Sequence, residues 1–414
     1  MSGTSSTPVY QFRTAVAPGT SGQHIIFAIV GDTRAAGDHV SPDTLITGRN
    51  ARFLEATLKT KYGANYWTKV SHILNGGDLV MAESNGNEYS REFFLPFNNL
   101  TKHLPTYVSI GNHEGNGSYF FNFMKYEDLG PVSGGDLEKY YKFQVGNCLY
   151  LMVNSNTNFQ TPAQLNWFTT VLDAAKNDNT VDFIFLTFHH PGNSEMWPDG
   201  NTGWIQTNLY NTLKNYPKVA LVIYGHSHCY ERGYLELNSA TPDYTHDAKV
   251  LLQGGGGSEM DTWTEYANQQ DYPEIHRSMS VWGYTIVDVD IDNKSWTAES
   301  YNIGMQEELP VSKNVLFDTF HQYTAAPPIT PTAVSTIAPT PTTVTLQASA
   351  FQSSGTDKIQ SSQFQVRTYP TGTWTSPLVN SKRDYENIRG YILKAPYKPI
   401  DNNAGIDLTK LVVT

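Results

Sequence analysis

The sequence is poor in several things. Its 414 residues include only two cysteines, Cys148 and Cys229, so no disulfide framework can hold the fold, and one bridge or two buried thiols remain open. Two thiols are the expectation, because free cysteine is among the most buried residue types. Apolar runs such as Phe183–Phe188 and Val219–Tyr224 stop far short of the roughly 18 residues that cross a bilayer, so no membrane partner is expected. Positive charge is scarce too: 28 Lys and Arg stand against 39 Asp and Glu, for a net charge of −11 and no block of like sign. That argues against nucleic acid, whose binding needs a basic surface to displace counterions. A small anion stays open if metal neutralises the charge locally. Residues 1–22 are rich in Ser, Thr and Gly and hold no apolar signal core. The expectation is a secreted, periplasmic or cell-surface protein with its signal outside this sequence, of unknown oligomeric state.

What is present is enough apolar material, 39% hydrophobic and 13% aromatic residues, for a folded protein. At about 150 residues per domain the length suggests two or three domains. Val9 to Thr14 alternates apolar and polar residues and reads as an isolated strand before Pro18-Gly19. Ile25–Val30, His72–Asn75, Thr106–Ile110, Phe183–Phe188 and Val219–Tyr224 are apolar runs that each stop at a polar cluster, as buried strands of an open α/β sheet do. Helical periodicity is expected over Thr44–Tyr62, Tyr89–Leu100 and Pro162–Lys176. Tyr141–Asn154 and Val281–Asp290 add further strands, too many for one doubly wound sheet. The expected fold class is α/β, a four-layer αββα sandwich of two mixed sheets flanked by helices, plus a small C-terminal all-β module. Residues 324–343 are almost all Pro, Thr, Ala and Ser and read as a linker; beyond them, 344–414 alternate at period two in places.

The five polar clusters are Gly31-Asp32-Thr33-Arg34, Gly77-Asp78, Gly111-Asn112-His113-Glu114, His189-His190-Pro191 and Gly225-His226-Ser227-His228-Cys229-Tyr230-Glu231-Arg232. Singly, an Asp after a strand is a turn former or helix cap, and a lone His packs in a core. Together they offer carboxylates, an amide oxygen and imidazoles at strand ends. That donor set suits Zn, Fe, Mn or Co, and it exceeds what one ion needs. Two ions sharing a carboxylate would use the surplus, an arrangement that stabilises attacking and leaving oxygens in phosphoryl displacement.

These ordered motifs resemble the calcineurin-like metallophosphoesterase superfamily, and Gly225 to Arg232 resembles its purple acid phosphatase branch. The resemblance runs over about residues 9 to 305, with further matches at Tyr140–Asn147, Gln164–Trp167, Gly254–Gly257 and Trp282–Tyr284. It implies a phosphoesterase with two divalent or trivalent metal ions, acting through metal-activated water on a small phosphorylated substrate, a phosphomonoester in the first place. Asp78 would bridge the ions, with Asp32 and His228 on the first metal and Asn112, His189 and His226 on the second. His113 would assist the leaving oxygen. The implied domains are 1–22, a remnant strand of a fibronectin type III-like domain with its linker; 23–323, catalytic; 324–343, linker; and 344–414, β module.

Two departures stand out. Met81 occupies the position of the tyrosine that colours purple acid phosphatases, and Arg34 the position where other members carry a histidine. The first metal thus has three identified ligands, and Arg34 is a candidate for binding phosphoryl oxygens. The segment Pro191–Trp204 lacks the histidines that the branch often adds for phosphate. A phosphodiesterase or nucleotide phosphohydrolase on the same site is therefore an alternative. From another class comes an inactive scaffold with a polymer-binding C-terminal module, in which Phe364, Val366 and Trp374 read as core. Lesser expectations concern His190 and His39 near the ligand motifs, Gly254–Gly257 as a tight loop beside the site, and Glu231 with Arg232 fixing the histidine loop. Asn-x-Ser/Thr occurs at Asn99, Asn116 and Asn293, and Asn116 lies too near the site for glycosylation.

Overall fold

A computed structural model describes residues 10–34, 46–83, 85–115, 117–126, 129, 138–213, 215–235, 248–270, 272, 274–306 and 312–323. Shorter pieces follow at 332–337, 343–350, 363–367, 370–373, 375, 378–379, 388–391, 398–401 and 410–413. His39, Asn116 and Trp374 lie outside these residues, as does most of the 324–343 stretch.

Thirteen strands build the main body: β1 (His24–Val30), β2 (Val70–Asn75), β3 (Thr106–Val108), β4 (Tyr141–Val145), β5 (Cys148–Met152), β6 (Phe183–Thr187), β7 (Val219–Tyr224), β8 (Tyr230–Tyr234), β9 (Lys249–Gln253), β10 (Ile275–Met279), β11 (Trp282–Asp290), β12 (Ser295–Gly304) and β13 (Val315–Tyr323). They form two mixed sheets. The first is ordered β13-β12-β11-β1-β2-β3, with β1, β2 and β3 parallel and the rest antiparallel. The second runs β4-β5-β6-β7-β9-β8-β10, its centre β5-β6-β7-β9 parallel. Later in the chain come β14 (Ala333–Ile337), β15 (Val344–Ala348), β16 (Gln363–Phe364), β17 (Leu378–Val379), β18 (Ile388–Tyr391), β19 (Lys398–Asp401) and β20 (Lys410–Val413). The hairpin β18–β19 extends the second sheet beside β10, whereas β14-β15-β20 and β16-β17 pair among themselves. All of these late elements are strands, as expected, although β14 falls inside the Pro/Thr stretch read as linker.

Burial follows the sequence pattern. In β1 every residue from Ile25 on is buried, because β2 and β11 flank it and both faces are covered, which calls for a continuous apolar run. Strand β12, nearer the edge, alternates buried with half-buried positions. The sheets face each other across an aromatic layer: Phe27 of β1 meets Tyr150 and Phe185 at 5.4 and 5.1 Å between centroids, and Tyr107 stacks on Phe143 at 3.6 Å. Outside the first sheet, helix Ile46–Tyr62 buries Asn50, Ala51, Leu54, Thr57 and Leu58 along one face. It ends where Gly63, at φ +88°, closes on the Lys59 carbonyl. Helix Pro162–Asn177 starts with Thr161 accepting from the Gln164 N–H and with proline in the first turn. The expected Tyr89–Leu100 helix is wound as a π turn over Tyr89–Phe94 before the α segment Leu95–Thr101, and Pro96, which has no N–H to return to the preceding turn, sits at the change. No described helix is long and apolar enough to cross a membrane.

One expectation fails locally. Residues 10–16 form no strand. Arg13 instead bonds to the Lys69 carbonyl and to Gln23. Both cysteines are free and buried, as expected.

Candidate metal centre

Three neighbouring parallel strands of one sheet, β1, β2 and β3, and two of the other, β6 and β7, end at the same rim. The loops that leave them carry Asp32, Asp78, Asn112 and His113 from the first sheet and His189, His226 and His228 from the second. Backbone bonds lock the loops: Asp32 N–H to the Gly77 carbonyl and Arg34 N–H to the Asp78 carbonyl, both at 2.9 Å, and Gly225 N–H to the His189 carbonyl at 2.9 Å. Asp32, Asp78 and His226 sit at φ +54°, +53° and +72°, a region that costs a side-chain-bearing residue about 1–3 kcal/mol. Such strain turns each side chain back toward the common centre. The glycines beside them are needed for space: a Cβ on Gly111 would lie 2.1 Å from Asp78 Oδ1, and one on Gly77 (φ +99°) 2.7 Å from the Ser109 carbonyl.

The best-defined donor group is built round His189. Its Nδ1 lies 2.8 Å from the Gly76 carbonyl, which can only accept, so Nδ1 carries the ring proton. In the neutral ring Nε2 then presents a lone pair. Facing it are Asn112 Oδ1 at 2.9 Å, His226 Nδ1 at 3.2 Å and Asp78 Oδ1 at 3.3 Å. An amide oxygen, a carboxylate oxygen and two imidazole nitrogens therefore converge, and a proton or a cation must stand between them. A cation of the Zn, Fe, Mn or Co type fits this demand. Without one, a second proton answers it: burial opposes charge on His189, but the carboxylates of Asp78 and Asp32 outweigh burial and lift its pKa to about 9.

A second group shares Asp78 and adds Asp32 and His228, whose Oδ1 and Nε2 are 3.6 Å apart. Asp32 accepts the His226 N–H at 3.0 Å. Arg34 reaches into this group. Its Nη2 is 3.2 Å from His228 Nε2, its Nε 3.5 Å from Asp78 Oδ2, and its Nη1 donates to Met81 Sδ at 2.8 Å. His113 donates from Nδ1 to the Met81 carbonyl at 2.8 Å and turns Nε2 toward Asp78 Oδ2, 3.8 Å away. All eight residues named from the sequence thus meet in one place. Asp32 and His189 are fully buried, and the other six line a cavity of about 370 Å³.

Other contributors have no clear signal in the sequence. Glu114 belongs to the Gly-Asn-His-Glu cluster, yet nothing there reveals that its carboxylate accepts the N–H groups of Asp78, Leu79 and Gly111 at 2.9, 2.6 and 2.9 Å and of Val80 at 3.3 Å. Asp261 accepts the His228 N–H at 2.8 Å and the Tyr266 hydroxyl at 3.1 Å. The segment Pro191–Trp204 contributes an indole where histidines had been sought: Trp197 lies 4.7 Å from the His226 ring, and Tyr266 continues the wall. Gly254–Gly257 is a tight loop, held by Asn50 through the Gly255 and Gly256 carbonyls. Glu231 and Arg232 act away from the histidine loop. Glu231 accepts the N–H groups of Glu195 and Met196, and Arg232 pairs with Asp318 of β13 at 2.7 Å. His190 is packed, bonded to Ser155 at 2.8 Å and 4.3 Å from the His226 ring.

With this geometry in view, comparison with known proteins is decisive for the class. The calcineurin-like phosphoesterase family model matches residues 26–230, which contain every residue of both donor groups. Residues 26–230 are a calcineurin-like phosphoesterase domain. This calcineurin-like chain is 27% identical over 163 residues to a 3',5'-cyclic-nucleotide phosphodiesterase of Nostoc sp., a match over 38% of the chain and 55% of the relative. It thus spans about half the length of that curated relative. In fold it is similar to a purple acid phosphatase from yellow lupin (Lupinus luteus), with TM-score 0.57 and 15% identity over 75% of the chain and 55% of the lupin protein. It is also similar to PhoD, with TM-score 0.53 and 13% identity over 77% of the chain and 73% of PhoD. The two-sheet sandwich of the calcineurin-like domain is shared with both.

Proposed function

We propose that the protein is a metal-dependent hydrolase of phosphate esters and that phosphomonoesters are its first substrates. The observation that carries this reading is the convergence of Asp78, Asn112, His189 and His226 on one point. A cation held there would polarise a phosphoryl oxygen and acidify water. The chain's own residues supply the rest. Arg34, its side chain 15% exposed at the cavity, offers N–H donors to a non-bridging oxygen, and the fork geometry suits phosphate. His113, with its ring fixed by the Met81 carbonyl and Nε2 at the cavity, would give a proton to the departing alcohol oxygen when both ring nitrogens are protonated. A monoester has three non-bridging oxygens for these donors, one more than a diester.

The diester reading has support of its own. The Nostoc relative is named a cyclic-nucleotide phosphodiesterase, and Trp197 with Tyr266 forms an aromatic wall that a base could lie against. Parallel kinetics on p-nitrophenyl phosphate and bis(p-nitrophenyl) phosphate separate the two. The monoester should turn over faster in the wild type, Asp78→Ala should abolish both metal retention and turnover, and His113→Ala should lower kcat about 10²–10⁴-fold while metal is retained. Wild-type rates in both variants would sink the assignment. Absence of both metal and turnover in the wild type would favour the scaffold reading.

A further inference from the structure

We propose that the chain holds one metal ion, in the Asp78–Asn112–His189–His226 group, and that the guanidinium of Arg34 is the resident cation of the Asp32–Asp78–His228 group. The inference rests on the metal-dependent reading above and narrows it.

The argument turns on His228. Its Nε2 has Arg34 Nη2 as neighbour, and a guanidinium can only donate, so the neutral ring carries its proton on Nδ1 and a single lone pair on Nε2. That lone pair faces Arg34 Nη2 at 3.2 Å. A ring nitrogen has no second lone pair to give, so an ion can be ligated by His228 only after Arg34 leaves it. Arg34 is also held at two further points. Its buried Nε faces Asp78 Oδ2, and Nη1 is bonded to Met81 Sδ. Met81 and Arg34 are the two positions at which the sequence departs from the ligand pattern it otherwise follows, and they touch each other. A tyrosine in one branch and a histidine in the other would supply the further ligand, and this chain has neither at those positions. Together Arg34 and Met81 install a cation and a soft acceptor that holds it.

Charge leads to the same result. Asp32 and Asp78 bring two negative charges and Arg34 one positive, so a single dication already leaves the centre positive; a second would lie within a few ångströms of both the first ion and the guanidinium. The His189 group holds no arginine or lysine, and its other three donor atoms, on Asn112, His226 and Asp78, lie 2.9, 3.2 and 3.3 Å from His189 Nε2. Arg34 would then serve substrate as a fixed positive charge on the side where relatives place an ion.

The test uses the full-length protein, stripped of metal and titrated with Mn²⁺. Bound metal is counted after desalting, and the electron paramagnetic resonance spectrum distinguishes an isolated ion from an exchange-coupled pair. The expected result is one isolated Mn²⁺ per wild-type chain, and two coupled ions in Arg34→His, which replaces the guanidinium by a ligand. Arg34→Ala should likewise gain affinity for a second ion, by at least about a hundredfold. Two tightly bound, coupled ions in the wild type would overturn the inference while leaving the hydrolase reading intact. So would a second ion that stays equally weak in both Arg34 variants. Loss of all metal binding together with all turnover in the wild type would instead remove the hydrolase reading on which the inference stands.

Discussion

Glu114 gives the sharpest measurable consequence of this geometry. Its carboxylate is buried and accepts four backbone N–H groups, those of Asp78, Leu79, Val80 and Gly111, so it ties the loop after β2 to the loop after β3. In Glu114→Ala these donors lose their acceptor. A buried donor left unsatisfied costs about 1–3 kcal/mol, and water entering the vacated polar space would recover part of that, which puts the net loss at roughly 3–6 kcal/mol. Glu114→Gln keeps one oxygen for Leu79 and Val80 but turns an amide N–H₂ toward the N–H groups of Asp78 and Gly111. Its expected cost is smaller, roughly 2–4 kcal/mol. Because the same bonds hold Asp78 at positive φ with its carboxylate turned inward, both variants should also bind metal more weakly, by about 10–100-fold, as is usual when the partner of a ligand is removed. Urea unfolding in a chelator reads the first effect without metal, and Mn²⁺ titration of the folded protein reads the second. A Glu114→Ala protein whose unfolding free energy lies within about 0.5 kcal/mol of wild type, with unaltered affinity, would refute the role assigned to this carboxylate.

Two further predictions address other parts of the molecule. Because the metal-free pKa of His189 is lifted to about 9, the ring is protonated at neutral pH and must lose that proton to become a ligand. Metal affinity should therefore rise with pH and level off above about 9, with about one proton released per ion at pH 7; calorimetry in buffers of different ionisation enthalpy measures this, and a pH-independent affinity would contradict it. Asp318 of β13 in the first sheet accepts from Tyr230 and Arg232 of β8 and faces Arg277 of β10, all in the second sheet, at 2.8, 2.7 and 3.2 Å. Asp318→Ala should cost about 3–5 kcal/mol, the usual penalty for taking one partner from a buried ion pair, and a shift of under about 1 kcal/mol in denaturant unfolding would count against it.

The candidate centre was readable in the sequence because each of its donor residues follows an apolar run. The runs Ile25–Val30 and Val219–Tyr224 specify buried strands, and open sheets collect their polar residues where such strands end. What could not be read is anything set by atoms far apart in the chain. That Arg34 faces His228, and that His226 turns Nδ1 rather than Nε2 toward His189, depends on loop dihedrals and on the docking of two sheets. Glu114 stood in view as a residue but not as an acceptor, since backbone N–H groups leave no mark in a sequence. Strand β9 offers only the short apolar run Val250–Leu252 before Gly254–Gly257, and β10, Ile275–Met279, mixes polar and apolar residues, so neither announces itself, and Val9 to Thr14 shows the converse. Its alternation is that of a strand, yet residues 10–16 form no strand. Arg232 was expected to act near its neighbours in sequence and instead spans the sandwich to Asp318.

The division of the ligands between the sheets has a consequence for how the protein comes into being. Every oxygen donor, Asp32, Asp78 and Asn112, leaves the first sheet, and every nitrogen donor, His189, His226 and His228, leaves the second. During synthesis the oxygen set emerges first, with His113 beside it, and would lack the three imidazoles of the second sheet until the chain has grown past His189. On the metal-dependent reading, loading would be a late event, and a transition ion that prefers mixed ligation would find the centre only after the two halves have met. The absorption of bound Co²⁺, which differs between an all-oxygen and a mixed environment, would then time the docking of the sheets during refolding.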